Sequence, residues 1–257
     1  MVRVIAHRGA SATHHENTLA AFRAAAEQGA TGIELDVRLS ADEVLMVHHD
    51  AHLADGRLIR ELTAEAMPDH VPTLGEALDV AGDMWVNVEI KNVPEEPDFD
   101  ADHRISVAVA GLVAASLAQS AEVEGGAAAE SDGDSEGTAG SPPSGRSASD
   151  RFMVSSFNVD SVERIRHLDP SIPLALLVWG QADPASLIAR AVAHSFEAIH
   201  PHDLLVDRAF VTRARAEGLQ VNVWTVDDPD RVRQLAGFGV DGIITNDPRS
   251  AVDALAG

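Results

Sequence analysis

The 257-residue sequence has no cysteine and a single lysine, Lys91. The absence of cysteine excludes disulfides, thiolate metal ligands and a cysteine nucleophile. Arginine supplies the other 18 of the 19 basic residues. Because lysine is so rare, we expect the position that keeps one to need its compact ammonium group.

Long apolar runs are also absent. The amino-terminal apolar stretch is too short for a signal peptide, and no later run approaches the length of a membrane-spanning helix. The sequence therefore predicts a cytoplasmic protein without stable membrane insertion.

Positive charge is scarce, since 41 acidic residues face 19 basic ones and the formal net charge is −22. Nucleic acid is not an expected partner, because no basic field is available to displace its counterions. Two explanations of the acidity stay open: adaptation to high intracellular salt, which screens self-repulsion, and GC-rich codon usage.

Charged and apolar residues alternate over residues 32–38, which places Glu34 and Asp36 on one face of a strand. Helical patterns flank this segment, as is typical of a parallel strand with a covered outer face, so the carboxylates should point inward. Inward carboxylates require a cation, and hard oxygen ligands suit Mg²⁺ or Ca²⁺. A structural salt bridge is the alternative. Residues 84–91 alternate similarly and add Glu89 and Lys91 to this face.

Strand and helix patterns then repeat along the chain. About eight such units predict a (β/α)₈ (TIM) barrel, in which active residues lie at the carboxyl ends of the strands. Candidates at those ends are His7, Glu34, Asp36, Glu89 and Trp224. Predicted strands are 2–6, 32–38, 44–47, 84–91, 152–156, 173–178, 197–200, 220–225 and 241–245; predicted helices are 17–28, 72–80, 101–118, 159–168, 184–193, 207–217, 228–238 and one from 248.

Residues 121–150 break this rhythm with an acidic segment rich in Gly, Ser and Ala. Such a composition cannot bury enough apolar surface to offset its ordering entropy, so we expect a disordered insert within one domain spanning residues 1–257. A linker between two domains is the alternative. Because the insert joins a helix to the next strand, it should lie at the amino-terminal face of the barrel, away from catalysis.

A set of short motifs, taken in order, resembles the glycerophosphodiester phosphodiesterase family. The individual motifs are weak, but their ordered combination is specific and covers nearly the whole chain. The motifs are Ala6-His7-Arg8-Gly9, Glu16-Asn17-Thr18 with Ala21-Phe22, residues 32–37, His49-Asp50, Val88-Glu89-Ile90-Lys91, Val223-Trp224-Thr225 and residues 241–245.

The resemblance implies a phosphoric diester hydrolase that splits small-molecule glycerophosphodiesters into glycerol phosphate and an alcohol. By position, Glu34, Asp36 and Glu89 would hold a divalent cation, Mg²⁺ or Ca²⁺. His7 and His49 would form the acid–base pair, while Arg8 and Lys91 would bind phosphate oxygens. This set suits the chemistry, since a cation with two basic side chains can stabilise the growing phosphate charge, and two imidazoles can exchange protons near neutral pH.

Several side chains permit a second interpretation. Trp224 either walls the glycerol site or belongs to the barrel core. His48 should point away from the site by strand parity, and Asp50 should orient His49. His200 and His202 suggest a metal pair, but three carboxylates already suffice for a hard cation. Residues 16–18 are expected to cap the first helix.

The segment around residues 40–43 and the one after Asp50 depart from the family pattern, which leaves the alcohol and the substrate size open. One rival function is cleavage of larger lysophospholipids in the manner of a phospholipase D. A catalytically silent cation-binding module is the rival from another class.

Overall fold

The computed structural model describes the backbone of residues 1–129, 151–180 and 183–257, and the side chains of these ranges except 117–129. The part of the predicted insert between residues 130 and 150 lies outside the described residues. The single-domain organisation, with a disordered insert at 121–150, stays a prediction.

Eight parallel strands in the described ranges form a closed barrel, which confirms the predicted (β/α)₈ fold. The barrel closes at the first strand, which pairs with the second strand on one side and with the ninth on the other. Ile5 lies opposite Gly32 in the first pairing and opposite Ile244 in the second. The strands are β1 (Arg3–His7), β2 (Gly32–Leu39), β3 (Leu45–Val47), β4 (Trp85–Ile90), β5 (Phe152–Ser156), β6 (Leu174–Val178), β7 (Ala198–Pro201), β8 (Gln220–Val223) and β9 (Gly242–Thr245).

Strand β3 is the exception among these nine, because it lies antiparallel to β2 with Val37 opposite Val47. It forms a hairpin extension outside the barrel ring. Residues 51–71 fold back beneath it with two 3₁₀ turns, Ile59–Glu61 and Ala64–Ala66, and Ile59 is fully buried there. The hairpin thereby carries His48 and His49 to the carboxyl end of the barrel.

Eight helices in the described ranges surround the barrel, and their starts follow the capping rules. Thr73 and Glu76 form a reciprocal capping box. Three helices begin with an Asp cap followed by proline, whose fixed φ suits the first helical turn. The helices are α1 (Leu19–Glu27), α2 (Leu74–Ala81), α3 (Arg104–Ala129), α4 (Val159–Leu168), α5 (Pro184–Ala193), α6 (Arg208–Ala216), α7 (Pro229–Phe238) and α8 (Pro248–Ala256).

Helix α3 runs further than predicted and enters the first nine residues of the proposed insert, 121–129. Alanine supplies four of these nine residues, and alanine is the best helix former. None of the helices in the described ranges combines the length and apolarity needed to cross a membrane.

Two hydrophobic layers follow the strand alternation. Outward residues such as Ile33, Leu35 and Val37 pack against the helices in the main core. Inward residues at the amino-terminal half of the barrel form a separate apolar plug. Further along the inner face the side chains become polar, so the carboxyl end of the barrel is where charge collects. The plug consists of Ile5, Trp85, Met153, Ala175, Ala198 and Ile244.

Candidate active site

Three buried carboxylates converge at the carboxyl end of β2 and β4. Strand register places Asp36 opposite Glu89, while Glu34 lies opposite His7 on β1. One carboxylate oxygen from each of Glu34, Asp36 and Glu89 lies within 4.8 Å of the others. The side chains point inward because their neighbours along β2 occupy the main core. The predicted set is therefore brought together in one place.

The donor set fits a hard divalent cation. Glu34 Oε1 and Asp36 Oδ1 are buried without a hydrogen-bond partner among the described residues. Buried carboxylate oxygens normally find a donor or a metal. Within the described ranges this is also the only cluster of His, Cys, Asp or Glu with metal-site spacing. Mg²⁺ and Ca²⁺ both accept all-oxygen ligands of this kind.

Two basic side chains surround the carboxylates. Lys91 Nζ lies 2.8 Å from Glu89 Oε1 and 3.6 Å from Asp36 Oδ1. Arg8 Nε lies 3.1 Å from Asp36 Oδ2, and its Nη1 forms an ion pair with Glu16 at 3.0 Å. The sole lysine is thus buried at the site, in line with the expectation that its position needs an ammonium group.

The pKa values of the carboxyls reflect an excess of negative charge. Burial, reinforced by Asp36 and Glu89, raises the pKa of Glu34 well above its usual value. Burial also raises the pKa of Glu89, against the effect of Lys91. For Asp36, burial alone would raise the pKa, but Lys91 and Arg8 outweigh it and hold the pKa below its usual range. The pKa of Glu34 is thus raised furthest from its usual value, and a bound cation would oppose that shift.

The turn after β1 places Arg8 over the site. Arg8 and Gly9 have φ values of 56° and 83°, a left-handed region that disfavours side chains. A Cβ at Gly9 would lie 2.7 Å from the backbone carbon of Ala21, so glycine is required there. This geometry lets the Arg8 amide donate to Glu34 Oε2 at 3.0 Å while its guanidinium reaches Asp36.

Hydrogen bonds fix the tautomer of His7. Asn246 Nδ2 donates to Asp227 Oδ2 at 2.7 Å, so Asn246 Oδ1 must face His7 Nδ1, which lies 2.7 Å away. An amide oxygen only accepts, which places the proton on Nδ1. His7 Nε2 is then free for chemistry, 3.9 Å from Glu34 Oε2. Burial, reinforced by the Arg8 charge, lowers the pKa of His7.

His49 is held through its backbone and its ring. Its Nδ1 lies 2.7 Å from Asp50 Oδ1, as expected for an orienting carboxylate. Its carbonyl accepts from Arg38 Nε at 2.8 Å. Burial lowers the pKa of His49, and Asp36 lies near enough to oppose that shift. The ring of the adjacent His48 bonds instead to the Asp50 carbonyl, at 2.9 Å, and its backbone amide donates to the Asp36 carbonyl at 3.0 Å.

Trp224 is half-buried at the rim and is fixed by a hydrogen bond from its Nε1 to the His200 carbonyl at 2.8 Å. It lies outside the apolar plug proper and packs against it. His200 is fully buried and bonded to Asn222, whereas His202 stacks on Trp179. The two histidine rings thus have different partners.

A model of the family described as "Glycerophosphoryl diester phosphodiesterase family" matches residues 7–250. The chain belongs to this family, whose members are phosphoric diester hydrolases. The predicted resemblance is confirmed, and every candidate residue named above lies within the matched range.

Individual relatives match over nearly the full length. A glycerophosphodiester phosphodiesterase from Caldanaerobacter subterraneus is 29% identical, with 98% of this chain and 97% of the relative covered. The probable glycerophosphodiester phosphodiesterase 1 of Mycobacterium tuberculosis is 30% identical, with 95% and 89% covered. A phosphodiesterase structure from Oleispira antarctica, solved with its product sn-glycerol-3-phosphate, superposes with a TM-score of 0.77 at 23% identity, covering 99% and 97% of the two chains. That likeness supports the fold.

Sequence reasoning missed three polar partners of this glycerophosphodiester phosphodiesterase site. Asn246 follows the last motif with inward parity, which was a usable signal. Within the predicted capping segment 16–18, Thr18 is the cap, as expected, and Asn17 Nδ2 has a further role in donating to Asp36 at 2.8 Å. Arg38 follows Asp36 on the same face, yet its three partners come from loops that the pattern does not place: the His49 carbonyl, Glu96 and Asp98.

Proposed function

We propose that this chain hydrolyses glycerophosphodiesters to glycerol phosphate and an alcohol, with a divalent cation held by Glu34, Asp36 and Glu89. The observation that carries the proposal is the convergence of three buried carboxylates beside the free Nε2 of His7. The family membership and the product complex of the Oleispira relative support the same substrate class.

The basic side chains, the cation and Trp224 have separate proposed roles in binding the substrate. Arg8 and Lys91 bind the non-bridging phosphate oxygens and stabilise the charge that grows there. A bound divalent cation supplies Lewis-acid polarisation of the phosphoryl group. Trp224 forms one wall of the substrate site.

His7 and His49 exchange the protons. One imidazole accepts the proton of the glycerol hydroxyl beside the phosphate, and the oxygen of that hydroxyl attacks phosphorus. The other imidazole protonates the leaving alcohol oxygen as the P–O bond breaks. Water then opens the cyclic phosphate with the two proton transfers reversed. Lowered pKa values leave both rings largely neutral near pH 7, so one must acquire its proton from substrate or solvent before it acts as the acid.

The test measures release of glycerol phosphate from glycerophosphocholine and glycerophosphoethanolamine, with and without EDTA. Wild type should turn over only with Mg²⁺ or Ca²⁺, and His49→Ala should lose activity. His48→Ala is the matched control and should retain activity, because the neighbouring His48 ring is half-buried to the same class as His49 but bonds to the Asp50 loop carbonyl. Turnover of lysophospholipids alone, or of no substrate by a folded protein, would refute the proposal and favour one of the rival functions.

Because the chain is so acidic, the same assay is also run over a range of salt concentrations. We propose that the protein works in high salt, with the net charge of −22 as the supporting observation. Activity that rises from low to multimolar salt would support this, whereas activity that falls would favour codon usage as the origin of the acidity. The cytoplasmic location stays a prediction.

A further inference from the structure

Four aromatic rings form a group on the side of the barrel opposite the carboxylates. Each ring belongs to the residue immediately after its strand, on β5, β6, β7 and β8 in turn. The carboxylates and His7 belong instead to β1, β2 and β4. We call this group the aromatic cluster; it consists of Phe157, Trp179, His202 and Trp224.

Trp224 is the centre of the aromatic cluster. Its ring centroid lies 5.7 Å from Phe157, 5.7 Å from Trp179 and 5.1 Å from His202. Phe157 and Trp224 follow strands three places apart in the sheet order, so their contact spans the barrel mouth. The planes of Trp179 and Trp224 are inclined by 57°, which gives the cluster a corner rather than a flat face.

The exposure of Trp179 is unusual for its type. The side chain is 67% exposed although apolar neighbours are available beside it. A contiguous exposed apolar surface commonly marks a binding site, and Trp179 is contiguous with His202 and Trp224. His202 stacks on Trp179 with centroids 5.2 Å apart, so the indole is held in position even without a ligand. The corner is therefore preformed.

The charge distribution indicates which ligand suits this corner. Arg8 and Lys91, the basic groups expected to hold the phosphate, lie with the carboxylates on the opposite side. Indole faces attract cations through their quadrupole, most effectively cations that shed water easily, such as quaternary ammonium groups. The net charge of −22 further favours a cationic group over an anionic one.

We propose that the aromatic cluster is the subsite for a quaternary ammonium group on the leaving alcohol, so that choline-type glycerophosphodiesters are the preferred substrates. This inference rests on the proposed function and adds the identity of the alcohol. The zwitterionic substrate then lies across the mouth, with its phosphate toward Lys91 and its ammonium toward Trp179.

The kinetic test compares kcat/KM for glycerophosphocholine with that for glycerophosphoglycerol, whose alcohol is neutral. Trp179→Ala should lower the choline-to-glycerol ratio about 3- to 30-fold, the range that one cation–π contact supplies, mainly through KM. Trp179→Phe should restore most of the ratio. Leu204→Ala is the control, because Leu204 is 89% exposed nearby but has no π face, and its ratio should match wild type.

A binding measurement keeps the inference testable without turnover. Tryptophan fluorescence is titrated with choline and with 3,3-dimethyl-1-butanol, its neutral isostere. Only three tryptophans are present, and the third, Trp85, is buried at the amino end of β4 beneath Arg3. Saturable quenching by choline, at least several-fold tighter than by the isostere and weakened in Trp179→Ala, is expected.

The outcomes separate the two proposals. Wild type that hydrolyses neither diester would refute the proposed function, while choline-selective quenching would still support the subsite. An equal loss on both diesters in Trp179→Ala would assign the cluster to the glycerol moiety and overturn the inference. Equal binding of choline and its isostere, or a loss confined to lysophospholipid substrates, would assign it to an apolar chain and also overturn it.

Discussion

Adding Mg²⁺ or Ca²⁺ to the metal-free protein should raise its melting temperature, and Glu34→Gln should remove most of that rise. At 4.8 Å and an effective dielectric constant of about 20, two ionised carboxylates repel each other by about 3.5 kcal/mol. Lys91 and Arg8 offset part of this repulsion. Burial and the remaining repulsion together raise the pKa of Glu34 well above its usual value.

The size of the stabilisation follows from binding linkage. A cation present at 100 times its Kd stabilises the folded state by about 2.7 kcal/mol. For a chain of this length, each kcal/mol shifts the melting temperature by about 2–4 °C, so the expected rise is about 5–11 °C. Glutamine preserves the shape of Glu34 but removes the charge that the cation would neutralise.

The raised pKa of Glu34 also predicts the direction in which folding stability changes with pH. Because the folded-state pKa of Glu34 lies above its usual value of 4.5, the folded state binds more protons than the unfolded state between those two pKa values. Stability without cation should therefore fall as pH rises through that window. Excess cation should reduce the fall, since the ionised carboxylate then has a ligand.

The assay is thermal unfolding followed by circular dichroism, with EDTA or millimolar cation, for wild type, Glu34→Gln and Glu65→Gln. Glu65 is exposed and distant in sequence from the site, so its variant should keep the full rise. An equal rise in Glu34→Gln would show that the cations act on the acidic surface. No rise in wild type would refute the metal site.

Three further substitutions test the supporting structure. Asn246→Ala should lower kcat by roughly 10- to 100-fold, because His7 loses the partner that fixes its tautomer; an unchanged kcat in steady-state assays would contradict that role. Arg38→Met leaves Asp98 buried without its cation and should cost about 3–5 kcal/mol in urea unfolding, whereas a loss under about 1 kcal/mol would mean that water replaces the pair. Thr73→Ala removes a capping box and should lower stability by about 1 kcal/mol, measured by thermal melting, with kcat unchanged.

Elements with strong local signals were predictable. The predicted limits of α4 and α5, 159–168 and 184–193, agree with the structure to the residue, because amphipathic periodicity and Asx caps are both local. The inward placement of Glu34, Asp36 and Glu89 also followed from strand parity together with the helical patterns that flank the strands. Such features depend on neighbours within one or two turns of the chain.

Features that depend on distant segments were not predictable. Arg38 carries a charge, and charged residues are usually exposed. The folded structure shows that it is fully buried and bonded to the His49 carbonyl. The extension of α3 to Ala129 differs from the predicted end at residue 118, because the polar composition of the following segment masks the helix propensity of its alanines. Asn17 is a similar case. Asparagine suits both a helix-capping motif and a hydrogen bond to a carboxylate, so the local sequence does not distinguish capping from the contact to Asp36.

The hydrogen bond between His7 and Asn246 joins positions 239 residues apart. It forms only when β9 docks against β1 and closes the ring. A chain emerging from the ribosome can assemble the carboxylates of β2 and β4 early, but it lacks an oriented His7 until β9 and Asn246 have been synthesised and docked. Activity therefore reports barrel closure rather than the presence of the three carboxylates.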